Sequence, residues 1–430
     1  MNRLVPVVLL ALVLLALLPV LLLAEEPVAP LVSAKAAILM DRQTGLVLWE
    51  KHADWRLPMA STTKIMTAMV ILDHGGDRLD ETVTLSQQAD AVEGSSLFAA
   101  GETVTLRDLL KGALIRSSNE ATIAAAEYLT PSHTVAEFVG WMNDKADALG
   151  LTHTRFVNTH GLYAEGHYSS ARDLAVMTRH ALTNYPLIRE IAQIRFTQVP
   201  ALPRGPVNLE NRNKLLGQTV PGVPGSAFDG VKTGYVRLSG PCLVSSATCQ
   251  GWQLIGVVLN SPAMWLDSKA LLHYGFTRYE WRTYADEAGA AYEAPVAFGA
   301  ARRAVPVGVK GALGAPAMKL SFRDGGADDE LRFIPARPLR APIARGEEIG
   351  TLWVYRDGRA LISAPAVALR AVPVAGWLRA LRAGGYALGA LALIVIVGKI
   401  YGTRAKSARR RRRQLAAGRR AAHPGRPGDR

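Results

Sequence analysis

Apolar residues follow two rhythms along this chain. Two short apolar runs, Ala36-Ala-Ile-Leu-Met40 and Leu46-Val-Leu-Trp49, flank the Gly-ended turn Asp41-Arg-Gln-Thr-Gly45, which predicts a β-hairpin. Ile65, Met66, Met69, Val70 and Leu72 then recur at helical spacing until Gly75-Gly76 stops them. Leu106, Leu109, Leu110, Ala113 and Leu114 form a second helical stripe, and residues 121–129 and 135–149 continue the helical cluster. Strand-like segments return at 230–237, 242–247 and 253–260, followed by a closing helix at 266–274. Strands at both ends with helices between them predict an α+β unit, an antiparallel sheet covered by helices.

The rhythm changes near Trp281. Short β-like runs separated by Gly and Pro follow (Pro295-Val-Ala-Phe, Arg303-Ala-Val-Pro-Val, Lys319-Leu-Ser-Phe, Leu331-Arg-Phe-Ile-Pro, Gly350-Thr-Leu-Trp-Val-Tyr), and they predict a small all-β domain over 281–375. Two longer apolar runs lie outside both domains. Residues 4–23 follow Met1-Asn2-Arg3 and end at Ala24-Glu25-Glu26, the layout of an export signal over 1–24, with an uncleaved anchor as the alternative. Residues 384–400 span about 25 Å as a helix, enough for a bilayer core, and predict a transmembrane helix over 384–401. Basic residues follow at once, placing a tail at 402–430 on the cytoplasmic side as a disordered anchor that also meets anionic lipid.

Charge then changes its meaning. The chain carries +14, but from Arg404 onward eleven Lys or Arg against the single Asp429 account for +10 of it. The body is not a basic surface, so no nucleic-acid partner is implied. The two cysteines, Cys242 and Cys249, stand seven residues apart on one predicted strand, about 23 Å, too far to pair with each other. No Cys/His cluster suggests a metal, and His160 and His167 lack metal spacing and read as structural.

Three short motifs carry the chemistry: Ser61-Thr62-Thr63-Lys64, Ser117-Ser118-Asn119 and Lys232-Thr233-Gly234. Ser61 and Lys64, three apart at a helix start, share one face. A serine hydroxyl needs an adjacent base, and Lys64 serves only if burial or nearby cations lower its pKa. The helix N-terminus favours negative charge developing on a reacting oxygen. The plain alternative makes Ser61 an N-cap and Lys64 a solvated first-turn residue. Ser117 likewise reads either as a proton relay between two lysines or, with Glu120, as a capping box, while Asn119 would bond a substrate amide. Gly234, lacking a side chain, would let a substrate backbone pair along the strand, with Lys232 and Thr233 binding a terminal carboxylate.

Together with Pro58-Met-Ala-Ser-Thr-Thr-Lys-Ile-Met-Thr-Ala, Gly94-Ser-Ser-Leu-Phe, Thr159-His-Gly-Leu, Tyr168-Ser-Ser-Ala-Arg-Asp-Leu-Ala, Asn211-Arg-Asn-Lys-Leu-Leu and Asp229-Gly-Val-Lys-Thr-Gly, these motifs resemble the low-molecular-mass penicillin-binding proteins, the D-alanyl-D-alanine carboxypeptidases. The likeness covers about residues 34–280, within a catalytic domain at 25–280 of β-lactamase/transpeptidase-like fold. It implies that Ser61 is acylated, Lys64 takes its proton, Ser117 relays it, and Asn119, Lys232, Thr233 and Gly234 bind substrate. The N–H groups of Ser61 and Tyr235 would form an oxyanion hole. No cofactor or metal is implied. The substrate would be the D-Ala-D-Ala end of the peptidoglycan stem pentapeptide, β-lactam antibiotics would acylate the same serine, and the C-terminal helix would hold the catalytic domain on the periplasmic side of the inner membrane.

Three positions depart from the resemblance. Tyr235 stands where relatives frequently carry His. The stretch Asn260-Ser-Pro-Ala-Met-Trp265 lacks an arginine that relatives often have, so carboxylate recognition is expected to be weaker or different. The run at 384–400 looks like a true span, where the family usually has an amphipathic surface helix. Competing functions are a β-lactamase, which would need a Glu-x-x-Leu-Asn segment absent here, a D,D-endopeptidase on crosslinks, and a non-catalytic wall-binding or morphogenetic scaffold.

Overall fold

The computed structural model describes residues 29–94, 97–299, 304–319 and 329–421, with side chains up to 415; the 1–24 signal expectation lies outside the described residues. They form two compact units, one comprising 29–282 and 314–319, the other 283–313 and 329–421.

The first unit is built on a five-stranded sheet. Its strands are β1 (Ala36–Asp41), β2 (Val47–Lys51), β3 (Ser226–Val236), β4 (Gly240–Cys249) and β5 (Trp252–Leu259), in spatial order β2-β1-β5-β4-β3. All described pairings are antiparallel. Alternation sorts each strand's side chains between two cores. Ile38, Val244 and Val257 enter the larger core, whereas Leu39, Leu243, Leu254 and Val258 enter the smaller one. Register continues that row to the edge: Ile38 faces Val257, Val257 faces Val244, and Val244 faces Lys232. Lys232 therefore points into the larger, helix-filled side, and β3 is a sheet edge. Cys242 and Cys249 are unpaired on β4.

The larger core holds α1 (Lys64–Gly75), α2 (Leu106–Lys111), α3 (Glu120–Leu129), α4 (Val135–Ala148), α5 (Ala171–Asn184) and α6 (Pro186–Gln193). The hairpin Phe196–Ala201/Gly205–Glu210, α5 and α6 are elements the apolar pattern did not announce. α1 is buried from Lys64 through Ile71, so it is a core helix and not an amphipathic one. Across the sheet lies α7 (Met264–Arg278), whose Leu271, Leu272 and Phe276 fill the smaller core. Buried Asp267 fixes its first turn, accepting from Ser33 N at 3.0 Å, Ala34 N at 2.9 Å and Ser261 Oγ at 2.6 Å.

The second unit contains another five-stranded antiparallel sheet: β6 (Tyr292–Pro295), β7 (Ala304–Val309), β8 (Asp329–Pro335), β9 (Glu348–Arg356) and β10 (Arg359–Ala368), in order β6-β7-β10-β9-β8. The expected strand at 319–322 is not formed at Lys319, and β10 was not anticipated. Among the described residues one helix, α8 (Gly376–Ala421), is long and apolar enough to cross a membrane. It corrects the expectation of a disordered tail, because the helix continues through Arg409–Arg413 without a break. Residues such as Arg, Lys, Gln and Ala are good helix formers, and no Pro interrupts them before Pro424.

Candidate active site

Ser61 sits in a 3-10 turn, Ala60–Thr63, that leads directly into α1. The turn is held by its own threonines: Thr62 Oγ1 donates to Met59 O and Thr63 Oγ1 to Ala60 O, both at 2.7 Å. Ala60 has φ +49°, a strained left-handed conformation for an L-residue of the kind found at functional sites. Two glycines allow other segments to close on this turn. A Cβ on Gly161 would lie 2.0 Å from Ala60 O, and one on Gly234 would lie 2.9 Å from Met59 O and 3.1 Å from Ser61 N. Gly234 thus has a reason beyond the expected one: its bare Cα faces the nucleophile's own turn.

Lys64 is fully buried, and its Nζ has three neighbours: Ser61 Oγ at 3.0 Å, Asn119 Oδ1 at 2.7 Å and His160 O at 2.7 Å. Burial first, then the charge of Lys232, holds its pKa well below the ordinary lysine value. A neutral amine has two hydrogens and one lone pair. The two carbonyl oxygens can only accept, so in the neutral form they take the hydrogens and leave the lone pair facing the Ser61 hydroxyl. Asn119, expected to bond a substrate amide, also meets the base. Its Oδ1 is turned to Lys64 and its Nδ2 donates to Glu93 O at 2.6 Å, so it orients the base.

Ser117 ends the π-helical turn Gly112–Arg116 in a left-handed conformation, φ +67°. Its Oγ accepts from Lys232 Nζ at 2.9 Å. The capping-box expectation is corrected by one residue: Ala121 N donates to Ser118 Oγ at 3.1 Å, and the Glu120 carboxylate accepts from Leu97 N at 2.5 Å and Phe98 N at 3.1 Å. Ser118 caps, which leaves the Ser117 hydroxyl to Lys232. Buried Lys232 is pushed down to about 7 by burial and by Arg212.

Several supporting groups carry no motif of their own. Asn158 Oδ1 accepts from Gly161 N at 2.7 Å and its Nδ2 donates to Leu162 O at 2.9 Å, shaping the loop that brings the His160 carbonyl to Lys64. His167 Nδ1 accepts from Val157 N at 3.0 Å, so its proton sits on Nε2, 2.9 Å from Thr63 Oγ1. Burial, then Lys64, lowers His167 to about 4; burial, then Lys64 and His167, lowers His160 to about 3. Asn213 Nδ2 donates to Gly230 O at 2.8 Å and Arg212 N to Ile115 O at 3.3 Å, tying that loop to both β3 and the Ser117 turn.

These parts enclose a cleft of about 330 Å³ lined by Ser61, Gly94, Ser117, Thr233, Gly234 and Tyr235, with Arg212, Met264 and Trp265 around them. Lys64, Asn119 and Lys232 stand behind this lining, reached through their hydrogen bonds. Among the described residues no group of His, Cys, Asp or Glu is arranged to hold a metal ion.

A family model described as D-alanyl-D-alanine carboxypeptidase matches residues 24–263. The chain belongs to the D-alanyl-D-alanine carboxypeptidase family. It is 33% identical to the D-alanyl-D-alanine carboxypeptidase DacF of Bacillus subtilis over 81% of this chain and 88% of that protein. The Escherichia coli carboxypeptidase DacC is likewise 33% identical, over 81% and 86%. Among solved structures, penicillin binding protein 5 from Haemophilus influenzae superposes with a TM-score of 0.64 at 30% identity, covering 80% of this chain and 99% of that one. As a member of this family the chain is a serine-type carboxypeptidase with a penicillin-binding-protein fold.

Proposed function

We propose that Ser61 is the nucleophile of a D-Ala-D-Ala carboxypeptidase and Lys64 its base. Ser61 Oγ adds to the carbonyl carbon of the D-Ala-D-Ala bond as its proton passes to Lys64 Nζ. The N–H groups of Ser61 and Tyr235 receive the developing oxyanion. The proton then reaches the leaving nitrogen through Ser117, the C–N bond breaks, D-alanine departs, and water hydrolyses the acyl-serine with Lys64 again as base. Thr233 and the edge of β3 align the substrate, with Lys232 holding the relay. One observation carries this assignment: Lys64 Nζ lies 3.0 Å from Ser61 Oγ while its two nearer neighbours are carbonyl oxygens.

The substrate is the peptidoglycan stem pentapeptide, and β-lactams, which resemble its end, acylate the same serine. In this reading α8 anchors the protein in the inner membrane with the catalytic unit on the periplasmic side, and residues 1–24 export it. The test is fluorescent penicillin labelling and D-alanine release from a pentapeptide, comparing wild type with Ser61→Ala. Both signals are expected to vanish in the variant. Labelling that survives Ser61→Ala would refute the assignment.

A further inference from the structure

The end of the second unit from which α8 leaves is built from three stretches of chain. Ala341 N donates to Ala297 O at 2.9 Å, Ile343 and Val372 exchange hydrogen bonds at 3.0 and 2.9 Å, and Ala375 N donates to Phe298 O at 2.8 Å. Five exposed arginines stand on these stretches and on the first turns of α8: Arg340, Arg345, Arg370, Arg379 and Arg382. None of their guanidinium groups has a hydrogen-bond or ion-pair partner among the described residues. By contrast Arg332, Arg337 and Arg356 pair with Glu330, Glu347 and Asp329. Residues 297–299, 338–345 and 369–385 contain no Asp or Glu. A guanidinium without an internal partner is suited to bidentate binding of a phosphate. Phe298 adds an independent observation. Its φ of +64° is costly for a bulky residue, and its half-exposed ring meets the exposed ring of Trp377 edge-on, centroids 6.4 Å apart. Tryptophan beside a membrane span sits at headgroup depth. The apolar run at 384–400 begins seven residues beyond Trp377, about 10 Å along the helix.

We propose that this end of the β-rich unit is a collar that binds the phosphates of anionic phospholipids in the adjacent leaflet, with the Phe298–Trp377 pair resting among the headgroups. The proposal rests on the reading of α8 as a membrane span and adds to it a second, polar attachment. Orientation does not require these charges, because the basic block from Arg404 onward outnumbers them and sets it from the opposite side. Arginines on the body's side of the span work against that rule, so their placement calls for a partner. The phosphates bordering the span are the anions that a membrane brings to them. A span alone leaves the unit free to swing. Contacts at Arg340, Arg345 and Arg370 would hold it against the bilayer.

The experiment measures amide hydrogen exchange of the full-length enzyme in nanodiscs of phosphatidylcholine alone and of phosphatidylcholine with phosphatidylglycerol. Segments 338–345 and 369–375 are expected to exchange about fivefold or more slowly in the anionic discs, the factor that one arginine near an anionic surface supplies. The slowing should shrink as salt is added. Arg340→Gln/Arg345→Gln/Arg370→Gln, which leaves α8 and its basic tail intact, should abolish the difference, and the three matching Arg→Lys changes should keep most of it. Unchanged exchange across β1 to β5 serves as the control for folding. Equal exchange in the two kinds of disc, or a difference that survives the triple glutamine variant, would overturn the collar alone. The same slowing produced in phosphatidylcholine discs by inorganic phosphate would assign the arginines to a soluble anion and overturn the lipid as their partner. Rapid exchange of residues 384–400 in every disc would overturn the spanning reading of α8 and the collar with it.

Discussion

Asn119 Oδ1 stands 2.7 Å from Lys64 Nζ, and this contact helps to fix which way the amine's lone pair faces. Asn119→Asp would place a carboxylate there and favour the ammonium form, raising the Lys64 pKa. Acylation by penicillin near neutral pH should slow by about 10- to 1000-fold and recover as pH rises. Asn119→Ala should be slow without that recovery. Rate–pH profiles of the two variants check it; superimposable profiles would show that Asn119 does not set the charge on Lys64.

The two glycines at the nucleophile turn should behave differently. Gly161→Ala combines a φ of +93° with a Cβ 2.0 Å from a backbone oxygen, so it should destabilise the catalytic unit by about 2–4 kcal/mol. Gly234→Ala meets the backbone at Met59 O, 2.9 Å, and at Ser61 N, 3.1 Å, so β3 or the nucleophile's turn must shift to admit the methyl group. That shift displaces the proposed oxyanion site, so acylation should fall about 100-fold, with a smaller loss of melting temperature than in Gly161→Ala. Thermal melts beside labelling rates separate the two effects.

His160 and His167 make the fold acid-sensitive. Both are neutral when folded, with values lowered to about 3 and about 4 against about 6.5 in the unfolded chain. The unfolded state binds more protons through that window, so stability is full above pH 6.5 and is lost as pH falls toward 4 and then 3. Each group contributes a slope of about 1.4 kcal/mol per pH unit. His167→Gln, which can still donate to Thr63 Oγ1, should flatten the melting temperature–pH curve between pH 6.5 and 4. An unchanged curve would contradict the buried neutral imidazole.

Lys232 gives the opposite end of the pH scale. Its folded value of about 7 lies below the unfolded value of about 10.4, so the unfolded chain holds the extra proton between them. Stability attributable to this group is complete above about 10.4 and lost as pH falls to about 7, by about 1.4 kcal/mol per unit. Lys232→Met should therefore gain less stability than wild type when pH is raised from 7 to 9, while losing acylation activity. Calorimetric melts at both pH values decide it.

The motifs were legible because each packs its chemistry into three or four consecutive residues. Ser61 and Lys64 share a helical face, and alternation on β3 turns Lys232 inward. What escaped the sequence came from far along the chain or from the backbone. The His160 carbonyl leaves no mark in residue type, and the asparagines that hold the loops, Asn158 and Asn213, look like ordinary turn residues. Ser117 and Ser118 are indistinguishable on paper; only the left-handed turn at Ser117 decides which one caps α3 and which one meets Lys232. Arg212 was visible within Asn211-Arg-Asn-Lys-Leu-Leu, but its direction depended on the anchors at Ile115 and Gly230. The helix at 402–421 was hidden by charge, because a basic run reads as solvated coil unless its helix-forming residues are weighed as well.

The two carbonyls that claim the hydrogens of Lys64 belong to the protein itself. In the proposed mechanism the base is therefore oriented before any substrate arrives. Restraint over wall trimming, in that mechanism, falls to geography: where the enzyme sits, and which peptide ends come within its reach.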